Sequence, residues 1–300
     1  MANSYLSRSM GGSGSTVKWT WSSWIKRSGL SSSVSLFGQG SSGDNFMQVR
    51  LVNDDSLDFR QYQSGSYTAR RRTNRLFRDV NAWYHIVCQW DSANGTADDR
   101  MKIWVNGVQE TSFQASTNPV SSLASLVNSS NGTFNVGCDW NPAVYFDGYQ
   151  SHTAFVDNAI VAPTSFGETD STSGIWKFKS PSGVTWGNNG FHLKFENSAA
   201  LGTDSSGNSN TFTVNGNLKQ AVDTPSNVYA TLNRLVNNNS NLVLSNGNNT
   251  MTLGSTSWIG TLGSLGVNTG KWYWEIKVDA NNFMHGILGE TANITELSTS

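Results

Sequence analysis

The chain has 300 residues, a net charge of −1 and only 14% charged residues. So sparse and balanced a charge excludes a global field that would draw nucleic acid or an anionic membrane, and no run approaches the ~18 apolar residues of a membrane helix. Ser (43), Asn (33) and Gly (29) dominate, yet 12 Trp, 14 Phe and 8 Tyr are spread along the whole length, which argues against disorder and for many short strands joined by polar turns.

Residues 1–16 are polar and Gly/Ser-rich and read as an N-terminal arm, disordered or docked on another protein. They contain no apolar core of a secretory signal, so the protein is expected to be made and kept in a cytoplasm, or released only by lysis. In VKWTWSSWIKRS, residues 17–28, Trp19 and Trp21 alternate with polar residues as on a half-buried strand. FMQVRLVNDDSLDFRQY places Phe46, Gln48, Arg50 and Val52 on one face and Met47, Val49 and Leu51 on the other. Its Asn53-Asp54-Asp55 is a turn signal for a hairpin. ARRRTNRLFRD, residues 69–79, reads as a loop. WYHIVCQWD and RMKIWVNGVQE follow, with Met101, Ile103 and Val105 sharing a face. Asn106-Gly107 is the strongest short hairpin signal, because both residues tolerate positive φ.

VSSLASLVN, residues 120–128, is the one candidate for a helical turn. TFNVGCDW and YFDGYQSHTAFVD supply further strands, and residues 190–216 read as two strands around a polar loop. The segment near 223–229 looks like a linker. Beyond it, KWYWEIKVDA alternates Trp272, Trp274, Ile276 and Val278 on one face. The expected organisation is therefore an arm at 1–16, a sandwich at 17–222, a linker at 223–240 and a second β region at 241–300. The fold class is all-β and antiparallel.

Two cysteines, Cys88 and Cys138, are too few for a disulfide framework and read as buried thiols. His85 stands three residues before Cys88, so on a strand the two point to opposite faces. Arg70, Arg71, Arg72, Arg75 and Arg78 crowd nine residues. They read either as contacts for phosphate or carboxylate groups of a glycan, or, more ordinarily, as a solvated loop or as partners of the acidic patch around Asp54, Asp55 and Asp58 and of neighbouring subunits. Trp140 and Tyr145 flank a Pro-containing loop, where an exposed π face could stack on a sugar ring. Glu168-Thr169-Asp170 is the nearest approach to a paired-carboxylate hydrolase motif, and Ser173 stands where a further Glu would be needed.

Residues 83–110 resemble the signature hairpin of laminin-G-like, concanavalin-A-like lectin domains, carried here by Trp83, His85, Trp104, Val105, Asn106 and Gly107. YFDGYQSHTAFVDNAI resembles a later strand of that family, and the likeness covers roughly residues 15–165. It implies an antiparallel β-sandwich of the concanavalin-A-like jelly-roll type and a non-enzymatic binding role. LKFENSAALGTDSSGN resembles a motif that opens many such domains but stands late here, so it either closes the first sandwich or starts the next domain.

The order of motifs from SWIKRS to DTPSN further resembles large structural proteins of marine bacteriophages. That likeness implies a virion tail-fibre or spike subunit, localised to the particle and assembled in the host cytoplasm. It also implies a homo-oligomer, a trimer favoured, contacting other tail proteins and a host-surface glycan. TGKWYWEIKVDA with GILGE resembles the central strands of a SPRY domain. A complete SPRY domain would extend past Ser300, so either this is a piece of a longer fibre protein or the second domain is abbreviated; the sequence leaves both open.

On this reading the glycan-contact candidates are Trp140, Tyr145, Arg70, Arg71, Arg72 and Arg75. No cofactor is expected apart from a rim calcium of the kind laminin-G-like domains often hold, for which the weak candidates are Asp54, Asp55, Asp98 and Asp99. No catalytic residue, nucleic acid or membrane insertion is expected. A stand-alone lectin and a glycan-degrading enzyme are the alternatives.

Overall fold

The structure is a computed structural model that describes residues 3–12, 14–130, 132–236, 239–254, 258–279, 284–289 and 298–299. It divides into two compact units, one reaching Val228 and the other starting at Tyr229.

In chain order the first unit carries β1 (Tyr5–Ser9), β2 (Lys18–Arg27), β3 (Val34–Ser42), β4 (Asn45–Leu51), β5 (Ser56–Gln63), β6 (Ser66–Leu76), β7 (Tyr84–Asp91) and β8 (Met101–Val105). It continues with β9 (Val108–Gln109), β10 (Phe113–Thr117), β11 (Thr133–Val136), β12 (Gly148–Asp157), β13 (Gly167–Thr169), β14 (Trp176–Phe178), β15 (Phe191–Leu193) and β16 (Thr213–Asn215). An eight-stranded sheet runs β10-β6-β5-β4-β3-β11-β1-β16, and a six-stranded sheet runs β15-β12-β2-β7-β8-β9. The pairings in both sheets are antiparallel.

The two sheets face each other over an aromatic core. Trp19, Trp21 and Ile25 of β2 point inward with Ile86, Cys88 and Trp90 of β7, opposite Phe37, Phe59 and Phe134. Trp19 stacks on Trp90 at 6.4 Å, and Phe37 on Phe134 at 5.3 Å. Each fully buried side chain of this size contributes roughly 1.5–3 kcal/mol. A bulge in β3 between Ser35 and Phe37 turns both Leu36 and Phe37 into the core.

Turn chemistry sets the hairpins. Asp55 has a φ of 71° in the turn between β4 and β5, at the Asn-Asp-Asp signal. Asn106 and Gly107 have φ of 48° and 78°, which closes β8 onto β9 in the twist that a two-residue hairpin needs.

Several expectations are corrected. Residues 5–9, placed in a free arm, form β1 inside the large sheet between β11 and β16, because Leu6 fits the core while Tyr5 and Ser7 face outward. Arg70–Arg72 and Arg75 lie on β6 rather than in a loop: a Ser64-Gly65 turn with φ of 51° and 80° folds the strand back on β5. Residues 120–128 form no helix. Their buried Leu126 and Val127 are held instead by side-chain bonds such as Leu126 N–H to Gln61 Oε1 at 2.8 Å, and the helical turns are 3-10 turns at Ala97–Arg100 and Pro163–Ser165. Residues 190–216 close the first sandwich through β15 and β16. Asp223, in the expected linker, is buried against Lys26.

The second unit contains the hairpin β17 (Leu242–Ser245) with β18 (Thr250–Leu253) and a short pair β19 (Trp258–Ile259) with β20 (Ser298–Thr299). Residues 271–279, expected as a strand, are not one, and Trp272, Trp274, Ile276 and Val278 are exposed. An alternating segment becomes a strand only where a neighbour accepts its ladder of hydrogen bonds, and among the described residues none does. No helix among the described residues is long and apolar enough to cross a membrane.

Candidate functional site

The outer faces of the two sheets have different fates. That of the six-stranded sheet is covered by residues 159–186. Thr20 Oγ1 donates to Ala159 O at 2.9 Å, Gln89 Nε2 to Val161 O at 2.8 Å, and Phe166 packs on Ala154 and Val156. The outer face of the eight-stranded sheet is crossed by the loop 138–146. That loop rests on Gly38, where a Cβ would come within 2.5 Å of the Trp140 nitrogen, so only glycine admits it. Asn135 Nδ2 pins the loop by donating to the carbonyls of Asp139 (2.9 Å) and Trp140 (3.2 Å).

The result is a groove of about 520 Å³ beside Trp140, with Tyr5, Ser7, Ser41, Thr133 and Pro142 in its wall. Trp140 stacks on Phe46 at 5.8 Å and 12°, and Phe46 on Tyr62 at 5.6 Å. Tyr67 meets Tyr62 edge-on at 5.0 Å. A strip of rings therefore runs from the groove across β4, β5 and β6. Trp140, a candidate from the sequence, lines this groove. Tyr145 is not in the groove: its hydroxyl donates to Pro142 O at 2.8 Å and its ring lies 6.0 Å from Tyr5, so it braces the loop from behind.

The arginines separate by the parity of β6. Arg70 joins the strip, with its guanidinium 4.4 Å from the Tyr67 ring and bonded to both oxygens of Asp58 at 2.8 and 3.1 Å. Arg71 turns to the other side and is buried over Phe113, donating to Ser116 at 2.7 Å and to Asn118. Arg72 donates to Asp54 at 2.8 Å and to Ser56, Arg75 pairs with Glu110, and Arg78 with Asp55 at 3.2 Å. Pairing with Asp54, Asp55 and Asp58 is thus what most of the cluster does. Arg50 and Arg60 were not among the candidates, although the alternation of β4 had already set Phe46, Gln48 and Arg50 on one face.

The four carboxylates named for calcium do not fit it. Burial raises Asp54, but hydrogen bonds from Ser56, Arg72 and Gln114 outweigh this and hold it well below the usual carboxylate range. Burial likewise raises Asp55, and the Ser31 amide, Arg27 and Arg78 bring it down. Asp98 faces Asn118 and Arg71, and Asp99 faces Lys102 at 2.8 Å. Guanidinium and ammonium groups stand where a metal would have to be, and among the described residues no group of three or more His, Cys, Asp or Glu could hold one. Glu168 and Asp170 share Lys177, at 3.5 and 3.0 Å. Burial pushes both thiols up, Cys88 and Cys138, the latter further raised by Asp139.

His85 lies on the opposite face of β7 from Cys88, as expected, in the layer under residues 159–186. Its ring is stacked on Trp24 at 4.8 Å, with Trp176 nearly parallel at 6.0 Å. Trp176 Nε1, a donor only, gives its proton to Nδ1 at 3.1 Å, so Nε2 carries the imidazole hydrogen and donates to Ser22 Oγ at 2.8 Å. Burial lowers this histidine to about 3. It is a packed, neutral core group.

Solved structures resemble the chain at low identity. A "putative carbohydrate binding protein" from Bacteroides ovatus is 16% identical with a TM-score of 0.44, the match covering 76% of this chain and 60% of that one. The heptameric SAP-like pentraxin of Limulus polyphemus is 15% identical with a TM-score of 0.40, over 63% and 85%. Domains LG4-5 of the mouse laminin alpha1 chain are 10% identical with a TM-score of 0.37, over 64% and 44%. No curated protein sequence matches the chain. Residues 2–164, which hold β1 to β12 and with them the groove and the ring strip, match the Laminin_G_3 family model. The chain belongs to that family, part of the concanavalin A-like lectin/glucanases superfamily.

Proposed function

We propose that the protein is a non-catalytic glycan-binding adhesin, a tail-fibre or spike subunit of a bacteriophage virion. The observation that carries the glycan reading is the groove beside Trp140 with the strip of rings leading from it, on the sheet face that the loop 138–146 crosses. A sugar stacks its C–H face on such rings, and the Ser7, Ser41 and Thr133 hydroxyls offer polar partners. A groove of this kind binds weakly and gains strength by repetition. A homo-oligomer, a trimer in the first instance, fits that logic, with the N-terminal end toward the particle and other tail proteins as neighbours. The virion assignment rests on the order of sequence motifs.

The test is titration of the full chain with neutral and acidic oligosaccharides, followed by intrinsic Trp fluorescence. Trp140→Ala is expected to weaken binding at least tenfold with little change in melting temperature. Unchanged binding in that variant would remove the groove from the mechanism. Gold labelling of purified particles with an antibody to this chain is expected to mark the tail, and absence from particles would overturn the virion reading.

A further inference from the structure

The strip of rings ends in a group of charges that is not balanced. Asp58 lies at its centre with its side chain 0% exposed, and three guanidinium groups surround it: Arg70 at 2.8 Å, Arg50 at 3.7 Å and Arg60 at 3.8 Å. Two of the three are used up. Arg70 spends its fork on both oxygens of Asp58. Arg60 donates to Tyr67 Oη at 2.8 Å and lies over Phe46, and with its amide oxygen turned inward Gln48 accepts from Arg60 at 2.7 Å.

Arg50 is different. Its Nε is buried with no hydrogen-bond partner, while the side chain keeps 22% exposure toward solvent. The other carboxylate that feels it is Asp139, which is occupied by the amides of Ala143 and Val144 at 3.1 and 3.2 Å. Burial lowers the Arg50 guanidinium, the Arg60 cation lowers it further, Asp58 and Tyr67 oppose this, and the Arg70 cation adds to the lowering. The guanidinium remains charged all the same. A cation with unmet donors, repelled by two neighbours and open on one side, is a poor choice for stability and a good one for an anion.

We infer that Arg50, with Arg60 and Arg70 behind it, receives the carboxylate of an acidic sugar whose ring stacks on Trp140. This deepens the proposed glycan-binding role of that face and rests on it. A planar carboxylate matches the guanidinium fork in two hydrogen bonds, and a tetrahedral oxyanion can pair with the fork as well. The ligand class is an acidic glycan, a uronate-type one in the first instance, and the sulfated arm of the test separates the two.

The experiment titrates the full chain with oligogalacturonate, with the matching neutral galactan oligomers, and with sulfated carrageenan oligomers, at 20 and 300 mM salt. The expected order is oligogalacturonate at least tenfold tighter than galactan, with carrageenan between them, and with the advantage over galactan shrinking at high salt. Arg50→Met is expected to abolish the preference for oligogalacturonate, leave galactan binding intact and keep or raise the melting temperature, because it removes like-charge repulsion. Should that variant fail to fold, Arg50→Lys serves: it keeps the charge, loses the fork, and is expected to bring oligogalacturonate down to the carrageenan level. Equal binding of galactan and oligogalacturonate by the wild type overturns the inference and leaves the glycan-binding role standing. A preference unchanged in Arg50→Met overturns it as well, and binding of none of the three overturns both.

Discussion

Acidification should unfold this sandwich through His85, and the size of the effect follows from the geometry. The imidazole is neutral, stacked on Trp24 with Trp176 nearly parallel, and its one basic nitrogen, Nδ1, already accepts the Trp176 indole N–H at 3.1 Å. A second proton would have to sit where that N–H points, in a site that water does not reach. The folded-state value is accordingly lowered from 6.5 to about 3 by burial. The unfolded chain binds the proton below about 6.5 and the folded chain does not, so stability is fully present above that pH and is lost as pH falls toward 3. At 1.36 kcal/mol per unit, the loss between pH 8 and pH 5 is about 2 kcal/mol from this residue. Attraction of an imidazolium to the Trp24 indole face, about 0.5–2 kcal/mol, opposes this and makes about 2 kcal/mol an upper figure. His152 and His192, lowered by burial to about 3 and about 4, add their own acid sensitivity, so the His85 share must be read as a difference. Urea titrations of the wild type and His85→Gln at pH 8, 6 and 5, followed by Trp fluorescence, measure it. The variant is expected to be less stable at pH 8 and to lose up to about 2 kcal/mol less than the wild type on going to pH 5. Parallel pH dependences in the two proteins would refute the argument.

Two further outcomes test the packing. Gly107→Val forces a β-branched residue to a φ of 78° and drives its Cβ to within 2.5 Å of the Trp176 ring, so a loss of about 1–3 kcal/mol from strain alone is expected, read as a fall of several degrees in melting temperature. An unchanged melting temperature would mean that the turn is not formed in this way. Asp223→Ala leaves Lys26, bonded to it at 2.7 Å with both side chains almost fully buried, as an uncompensated charge; the cost should be about 3–5 kcal/mol. The double variant Lys26→Met with Asp223→Leu should be milder than the single one in the same urea titration, and a double variant as damaged as the single would show that the charge is not the cause.

The candidate site was legible in pieces. Trp140 stood out because a Trp beside Asn-Pro lies in a loop, and the hairpin of β4 and β5 had already set Phe46, Gln48 and Arg50 on a common face. What could not be read was that Tyr62, Tyr67, Arg60 and Arg70 continue that face, because the Ser64-Gly65 turn is a weak local signal and the arginine run of β6 reads as a loop. Once β6 pairs with β5, the run of arginines divides by parity: Arg70 and Arg72 go outward and Arg71 goes over Phe113.

By itself the sequence determined the fold class, the inward set of Trp19, Trp21, Met47, Val49, Leu51, Met101, Ile103 and Val105, and the Asn106-Gly107 turn. These are local properties: strand parity is set by adjacent residues, and a tight turn by the φ its residues tolerate. Only the tertiary structure decided which sheet face carries the groove, that residues 5–9 belong to the large sheet, and which charges meet. Lys26 finds Asp223 across 197 positions of chain, and Asp58 gathers Arg50, Arg60 and Arg70 from three strands. Such partners are chosen by sheet order and register, which depend on how distant segments pack together, and no local pattern in the chain encodes that choice.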